Sequence, residues 1–218
     1  MRRFLTFAMM LLLAAPVSAQ TNSVYIDQIG SSNVIGITQA GSGNRVGTSI
    51  APSTITGSGN SVTIEQSGNS NALDYSINGG TNTIGLTYTG DGNTATLTCG
   101  SGNTTCSDAT VTHVVTGDSN ILNTTITGTG ATNTVTITGN TNTVTTTQSS
   151  NDATQTITLT GNNNSVTASQ SGAGIHSLTL SATGDTNTYS ITQSGAVSNT
   201  LSINTTGSSN NITVNQSN

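Results

Sequence analysis

The stretch Asn60-Ser61-Val62-Thr63-Ile64-Glu65-Gln66-Ser67-Gly68-Asn69-Ser70-Asn71 decides the fold. Asn60, Val62, Ile64 and Gln66 alternate with Ser61, Thr63, Glu65 and Ser67. A period of two is the strand period, so one set faces a core and the other faces solvent. Gly68-Asn69-Ser70 then turns the chain, and Asn71 restarts the pattern as Asn71, Leu73, Tyr75 and Ile77. A helical period would scatter these apolar residues, and β-branched Val, Ile and Thr favour strands.

Outward from this stretch, a Gly-x-x-Asn tetrad returns about every 11 residues. It occurs as Gly30/Asn33, Gly41/Asn44, Gly57/Asn60, Gly68/Asn71, Gly79/Asn82 and Gly90/Asn93. It continues as Gly117/Asn120, Gly139/Asn142, Gly161/Asn164, Gly184/Asn187 and Gly207/Asn210. A short period sustained along a chain is the signature of a repeat architecture. Later inward sets include Asn82, Ile84, Leu86, Tyr88; Ala153, Gln155, Ile157, Leu159; and Asn210, Ile212, Val214, Gln216. About 17 such strands follow from the phase count. Gln-Ser precedes the turn at 148, 170, 193 and 216, and Thr-Gly at 138, 160, 183 and 206. The unit is therefore two strands, one ending in each kind of turn. The expected fold is all-β: a two-sheet β-solenoid of stacked β-arches, about 22 residues per rung and about 8–9 rungs. At the usual strand spacing it would be about 40 Å long.

Residues 1–19 read as a signal peptide. Arg2 and Arg3 precede an apolar run from Phe4 to Ala15, and Val17-Ser18-Ala19 offers a small-residue cleavage site. A retained N-terminal anchor is the alternative, but the run is short for a membrane span. The chain would then be secreted, with residues 20–218 forming one repeat domain. Beyond residue 19 only Arg45 is basic, so eight acidic residues against one base leave a balance of −7. Nucleic-acid binding needs basic clusters, which this composition excludes. Low charge and 3% aromatic content also suit disordered chains. Disorder does not require apolar residues at fixed phases, so the periodicity argues against it.

One rung buries only a few apolar side chains, at about 1.5–3 kcal/mol each. Ordering its residues costs on the order of 1–2 kcal/mol each. A rung must therefore be held by its neighbours. Inward Asn and Gln would be costly unpaired, but in a stack each amide can bond the next, as a ladder. The candidate ladder and assembly residues are Gln28, Asn33, Gln39, Asn44, Asn60, Gln66, Asn71, Asn82, Asn142, Gln148, Asn164, Gln170, Asn187, Gln193, Asn210 and Gln216. The candidate arc glycines are Gly30, Gly41, Gly57, Gly68, Gly79, Gly90, Gly139, Gly161, Gly184 and Gly207.

Gln28-Ile29-Gly30-Ser31-Ser32-Asn33, Gln39-Ala40-Gly41-Ser42-Gly43-Asn44 and Gln66-Ser67-Gly68-Asn69-Ser70-Asn71 all fit Q-x-G-x-x-N. This pattern resembles the curlin family, the secreted subunits of bacterial curli. The resemblance implies a stacked β-arch fold that self-assembles into extracellular functional amyloid, serving biofilm matrix and adhesion. Its implied partners are further copies of the chain, a nucleating subunit and secretion machinery. Three copies carry the full motif, and the weaker period covers nearly all of residues 20–218. The chain departs from the family in carrying Ile55, Ile77, Tyr88, Val115 or Ala182 at Gln positions. Its array is longer, and its repeats begin at Asn22, leaving almost no segment between signal and first strand.

Two breaks interrupt the count, and loop insertions are expected near 45–56 and 103–116. Cys99 occupies an inward Gln position, counted from Asn93; if Thr104 takes the next Asn position, Cys106 also faces inward. Two close cysteines in an exported chain favour a Cys99–Cys106 disulfide, with free thiols or intermolecular pairing as alternatives. His176 falls at an Asn position and His113 on an inward phase, so both read as packed interior residues. No catalytic or metal-binding constellation and no cofactor motif emerges. Asp91, Asp118 and Asp185 read as solvated turn residues. Thr132, Thr134, Thr136 and Thr138 point outward, as do Thr154, Thr156, Thr158 and Thr160, then Ser177, Thr179, Ser181 and Thr183. Such an array suits an ice-binding face, the rival to self-assembly. A passive adhesin repeat module is a third reading. No helix or charged cap is expected at either end of the array.

Overall fold

The computed structural model describes residues 21–101 and 104–218; the segment read as a signal peptide lies outside them. The described chain is an all-β solenoid of about 8 turns, with about 23 residues per turn. Two parallel sheets face each other across one core. The first has nine rows. Its rows are β1 (Ser23–Val24) with β2 (Ile26–Ile29), β4 (Arg45–Val46) with β5 (Ser53–Thr56), β7 (Ala72–Asn78), β9 (Thr94–Cys99), β11 (Ile121–Ile126), β13 (Thr143–Gln148), β15 (Ser165–Ser171), β17 (Thr188–Ser194) and β19 (Asn211–Ser217). The second has eight: β3 (Val34–Ala40), β6 (Ser61–Ser67), β8 (Thr83–Thr89), β10 (Thr110–Thr116), β12 (Thr132–Thr138), β14 (Thr154–Thr160), β16 (Ser177–Thr183) and β18 (Thr200–Thr206). These rows are the strands that the phase count expects.

Parallel pairing without slippage stacks like on like. Val135 lies over Ile157, and Ile157 over Leu180. The alternation is visible in burial: along β6 every second residue, Val62, Ile64 and Gln66, is buried. Between β12 and β14, Thr132 meets Thr154 and Asn133 meets Gln155, a sequence step of 22. The next step, where Thr154 meets Ser177, is one longer, because the arc Gly172-Ala173-Gly174-Ile175-His176 holds an extra residue.

The two breaks are short excursions that lengthen this step. Arg45 meets Ala72 across the first, and Thr83 meets Thr110 across the second, each a sequence separation of 27. The first excursion is Thr48–Pro52, which leaves the sheet in mid-row. Gly47 still donates its N–H to Leu73 O, and Thr54 pairs Ser76. The expectation of a loop over 103–116 is corrected: the excursion lies between Gly100 and Cys106. Gly100 N–H still bonds Ile126 O, Cys106 N–H bonds Asn78 O, and Thr110–Thr116 is regular strand. Ala109, not Thr104, takes the Asn position, since its N–H bonds Asn82 Oδ1 at 2.9 Å. Thr104 instead donates its hydroxyl to Ser101 O. Cys99 and Cys106 are joined by a disulfide across the base of this excursion, with Cα atoms 5.2 Å apart.

Two kinds of arc join the sheets. Those leading from the second sheet to the first are uniform: a glycine, a polar residue, a left-handed residue and an Asn, from Gly41–Asn44 to Gly207–Asn210. The glycine is required at Gly117 (φ +128°), where a Cβ would collide with the carbonyl of Gly139 in the next turn. The opposite arcs are uneven. Gly30, Gly57 and Gly79 are followed in their column by Cys106, Gly128, Ser150, Gly172 and Gly195.

Candidate functional site: amide ladders and open end rows

The uniform arcs carry an unbroken interior ladder. From Asn44 through Asn71, Asn93, Asn120, Asn142, Asn164 and Asn187 to Asn210, each Nδ2 donates to the Oδ1 of the turn before at 2.9–3.1 Å. Asn22 joins at the start, its Oδ1 accepting the Asn44 N–H. Asn71 shows why only this residue serves. Its Nδ2 donates to Asn44 Oδ1 and Gly90 O, while its Oδ1 accepts from the backbone N–H and the Nδ2 of Asn93. All four amide valences are used inside a buried arc. Asp would lack the donors, and Gln would overreach by a methylene.

The opposite arcs hold a broken ladder. Asn33, Asn60 and Asn82 are linked, but Ala109, Ala131 and Ala153 follow. His176 then stands in the Asn position. Its Nδ1 accepts the Asn199 N–H and its Nε2 donates to Ser171 O, reproducing the acceptor and donor of an amide.

The glutamines divide in the same way. Gln39 donates to Gln66 at 2.7 Å, and there the column changes to Tyr88. In the first sheet Gln148, Gln170, Gln193 and Gln216 form a continuous run, each Nε2 donating to the next Oε1 at 2.9–3.1 Å. Gln28 is a correction: it stacks on Ile55, not on an amide, and is exposed in the first row.

A second ladder on the outside of the uniform arcs is not anticipated from the sequence. Asn69, Asp91, Asp118, Asn140, Asn162 and Asp185 each accept the backbone N–H of their counterpart one turn earlier through Oδ1, at 2.6–3.1 Å. Ser208 does so through its hydroxyl. Asp91, Asp118 and Asp185 are therefore structural acceptors as well as solvated residues. The signal was present, because the second tetrad position of these arcs is always Ser, Asn or Asp.

Mid-molecule, the core is polar. His113 Nε2 lies 2.9 Å from Thr124 Oγ1, Thr146 donates to Thr124, and Asn133 bridges Thr146 and Gln155. Tyr88 Oη lies 3.4 Å from His113 Nδ1. Burial lowers His113 to about 4 and raises Tyr88 above its ordinary range. Thr124 and Thr146 sit on the inward phase, so the two-residue period could have found them.

Arg45 forms a two-pronged ion pair with Asp74, at 2.8 and 3.1 Å. Beside it, a cleft of about 250 Å³ lies between the first excursion and β7 and β9, lined by Thr48, Pro52, Asp74, Tyr75 and Leu97. Among the described residues, no three His, Cys, Asp or Glu side chains gather as metal ligands. No described helix is long and apolar enough to cross a membrane.

Both ends of the solenoid differ from its middle. In the first rows Ile26, Ile35 and Ile37 are half-buried, and in the last rows so are Leu201, Ile203 and Ile212. Their counterparts in the middle, such as Val135, Ile157 and Leu180, are fully buried. Among the described residues, β1, β2, β3, β18 and β19 each have a strand on one side only. Compared with known proteins, the chain matches no family model, no curated protein and no solved structure.

Proposed function

We propose that this chain is a secreted structural subunit that polymerises end to end into extracellular, curlin-like amyloid fibres for biofilm matrix and adhesion. The observation that carries the reading is the state of the end rows. Each presents an unpaired strand edge and half-buried Ile and Leu side chains in a stack whose interior rows are fully covered. Unpaired, flat, in-register edges are templates for further strands. Charge on such an edge would oppose addition. β18 and β19 carry none, and Asp27 is the one charged residue on β1, β2 and β3.

One observation favours a second reading. The outer face of the second sheet is wholly threonine along β12 and β14, an array free of charge, which suits a monomeric ice-binding solenoid.

The test is thioflavin T fluorescence and fibre diffraction on residues 20–218 released from denaturant. The expected result is a lag, then fibres with reflections near ~4.7 Å and ~10 Å. A stable β-rich monomer at high concentration would count against self-assembly, and inhibition of ice growth by that monomer would support the second reading.

A further inference from the structure

We infer that the fibre is polar: the last turn of one copy seats the first turn of the next, with Asn210 on Asn22 and Gln216 on Gln28. This deepens, and rests on, the end-to-end reading above. Three independent features of the chain lead to it.

The first is the match of inward residues. In the first sheet the last row presents Asn210, Ile212, Val214 and Gln216, and the first row presents Asn22, Val24, Ile26 and Gln28. The order is amide, β-branched, β-branched, amide at both ends. In the second sheet the last row gives Asn199, Leu201, Ile203 and Thr205, and the first gives Asn33, Ile35, Ile37 and Gln39. No interior junction between β7 and β13 matches so closely, because Tyr75, Cys99, Thr124 and Ile126 intervene.

The second is ladder polarity. Every interior Asn accepts on Oδ1 from the turn that follows. Among the described residues Asn210 is the last member of the ladder, so its Oδ1 faces the open row, where the N–H and Nδ2 of an incoming Asn22 would donate. The glutamine run has the opposite sense. The Nε2 of Gln170 and of Gln193 donates once to a strand carbonyl and once to the following Gln Oε1. Gln216 makes the carbonyl bond, to Thr200 O. Its second hydrogen points to where Gln28 Oε1 of the next copy would lie. Two last turns brought together would set β19 antiparallel to its copy, with Asn210 opposite Gln216, and would lose the parallel like-on-like stacking that every interior junction has.

The third is Gln28 itself, which stacks on Ile55 in its own chain. An amide over an aliphatic side chain gains no hydrogen bond there, whereas over Gln216 it would extend the glutamine run by one member.

The experiment uses full-length mature chain carrying Ser23→Cys in one sample and Asn211→Cys in another. In the inferred register these outward positions face each other across the junction at about 5 Å, within disulfide reach. Mixed fibres should give an intermolecular cross-link between positions 23 and 211 on mild oxidation, and neither variant alone should cross-link. The Gln28→Ala chain should leave about tenfold more soluble monomer at equilibrium with fibres, the cost of one amide hydrogen bond. Its own unfolding midpoint should be unchanged. Fibres that cross-link 23 to 23 or 211 to 211, or a Gln28→Ala solubility equal to the parent's, would overturn the polar register and leave end-to-end assembly standing. Absence of fibres from the parent chain would overturn both.

Discussion

At the residue scale, Asn142 is the clearest case of a side chain chosen by hydrogen-bond valence. It donates to Asn120 and Gly161 and accepts twice from Asn164, all inside the arc. Asn142→Ala would strand three groups, Gly161 O and the N–H and Nδ2 of Asn164, while Asn120 Oδ1 keeps the backbone N–H of residue 142; unpaired buried polar groups cost about 1–3 kcal/mol each before relaxation. We expect a loss of about 3 kcal/mol by urea unfolding, while Asn140→Ala in the solvated outer ladder changes stability by under about 1 kcal/mol. Equal losses would show that the interior ladder has no special weight. His113 gives a pH prediction. Burial holds it near 4 in the folded chain, below the ordinary 6.5, so the unfolded chain takes up the proton first as pH falls. The associated stability is complete above about pH 6.5, declines between 6.5 and 4, and levels off below, a span on the order of 3 kcal/mol. His113→Val, matching Val135 beneath it, should lack that component, so the parent-minus-variant difference in unfolding free energy should carry it. A difference independent of pH in the parent would refute it.

At the element scale, the arcs and the excursions explain what could be read from sequence and what could not. The strands were legible because β-branched alternation and a fixed tetrad act locally, within one strand and its turn. The extent of each excursion was not. Locating the second requires knowing that Cys106, not a glycine, holds the first arc position and that Ala109 holds the last, and neither residue resembles its column. Gln28 failed as a ladder residue for a simpler reason: its neighbour in space is Ile55, one of the positions where the chain departs from Gln. The registers make a sharp prediction here. Deleting Thr48–Pro52 joins Gly47 to Ser53, which would fall opposite Asp74 and Tyr75 and fuse β4 and β5 into one row. The shortened chain should fold with an unfolding midpoint equal to or above the parent's. A loss of more than about 2 kcal/mol, beyond what closing a short loop should matter, would mean that the excursion itself supports the sheet. The disulfide is the converse case. Cys99 and Cys106 close a loop of sequence separation 7, and replacing both with Ala should lower stability by roughly 2–3 kcal/mol with the far-ultraviolet β signal retained.

At the scale of the whole molecule, stability is a sum of contacts between neighbouring turns, so it should be uneven along the axis. Middle rows such as β12 are bonded on both sides and bury Val135 and Ile137 completely. End rows are bonded on one side and half-covered. The structure therefore sets an order for hydrogen exchange in the monomer: β3 and β18 first, β10 to β14 last. In a fibre built by end addition, the end rows become interior rows. The amides of Val34–Ala40 and Thr200–Thr206 that face away from β6 and β16 should then slow to the rates of the middle rows, by several orders of magnitude if a row gains a full set of ladder bonds. Exchange measured on monomer and fibre in parallel separates this from lateral association of intact solenoids. Bundling through the threonine-rich outer face of the second sheet would leave the end rows fast and slow nothing but side-chain hydroxyls. A protected middle with unprotected ends in the fibre would place the contact between copies on the sheet faces rather than on the open rows.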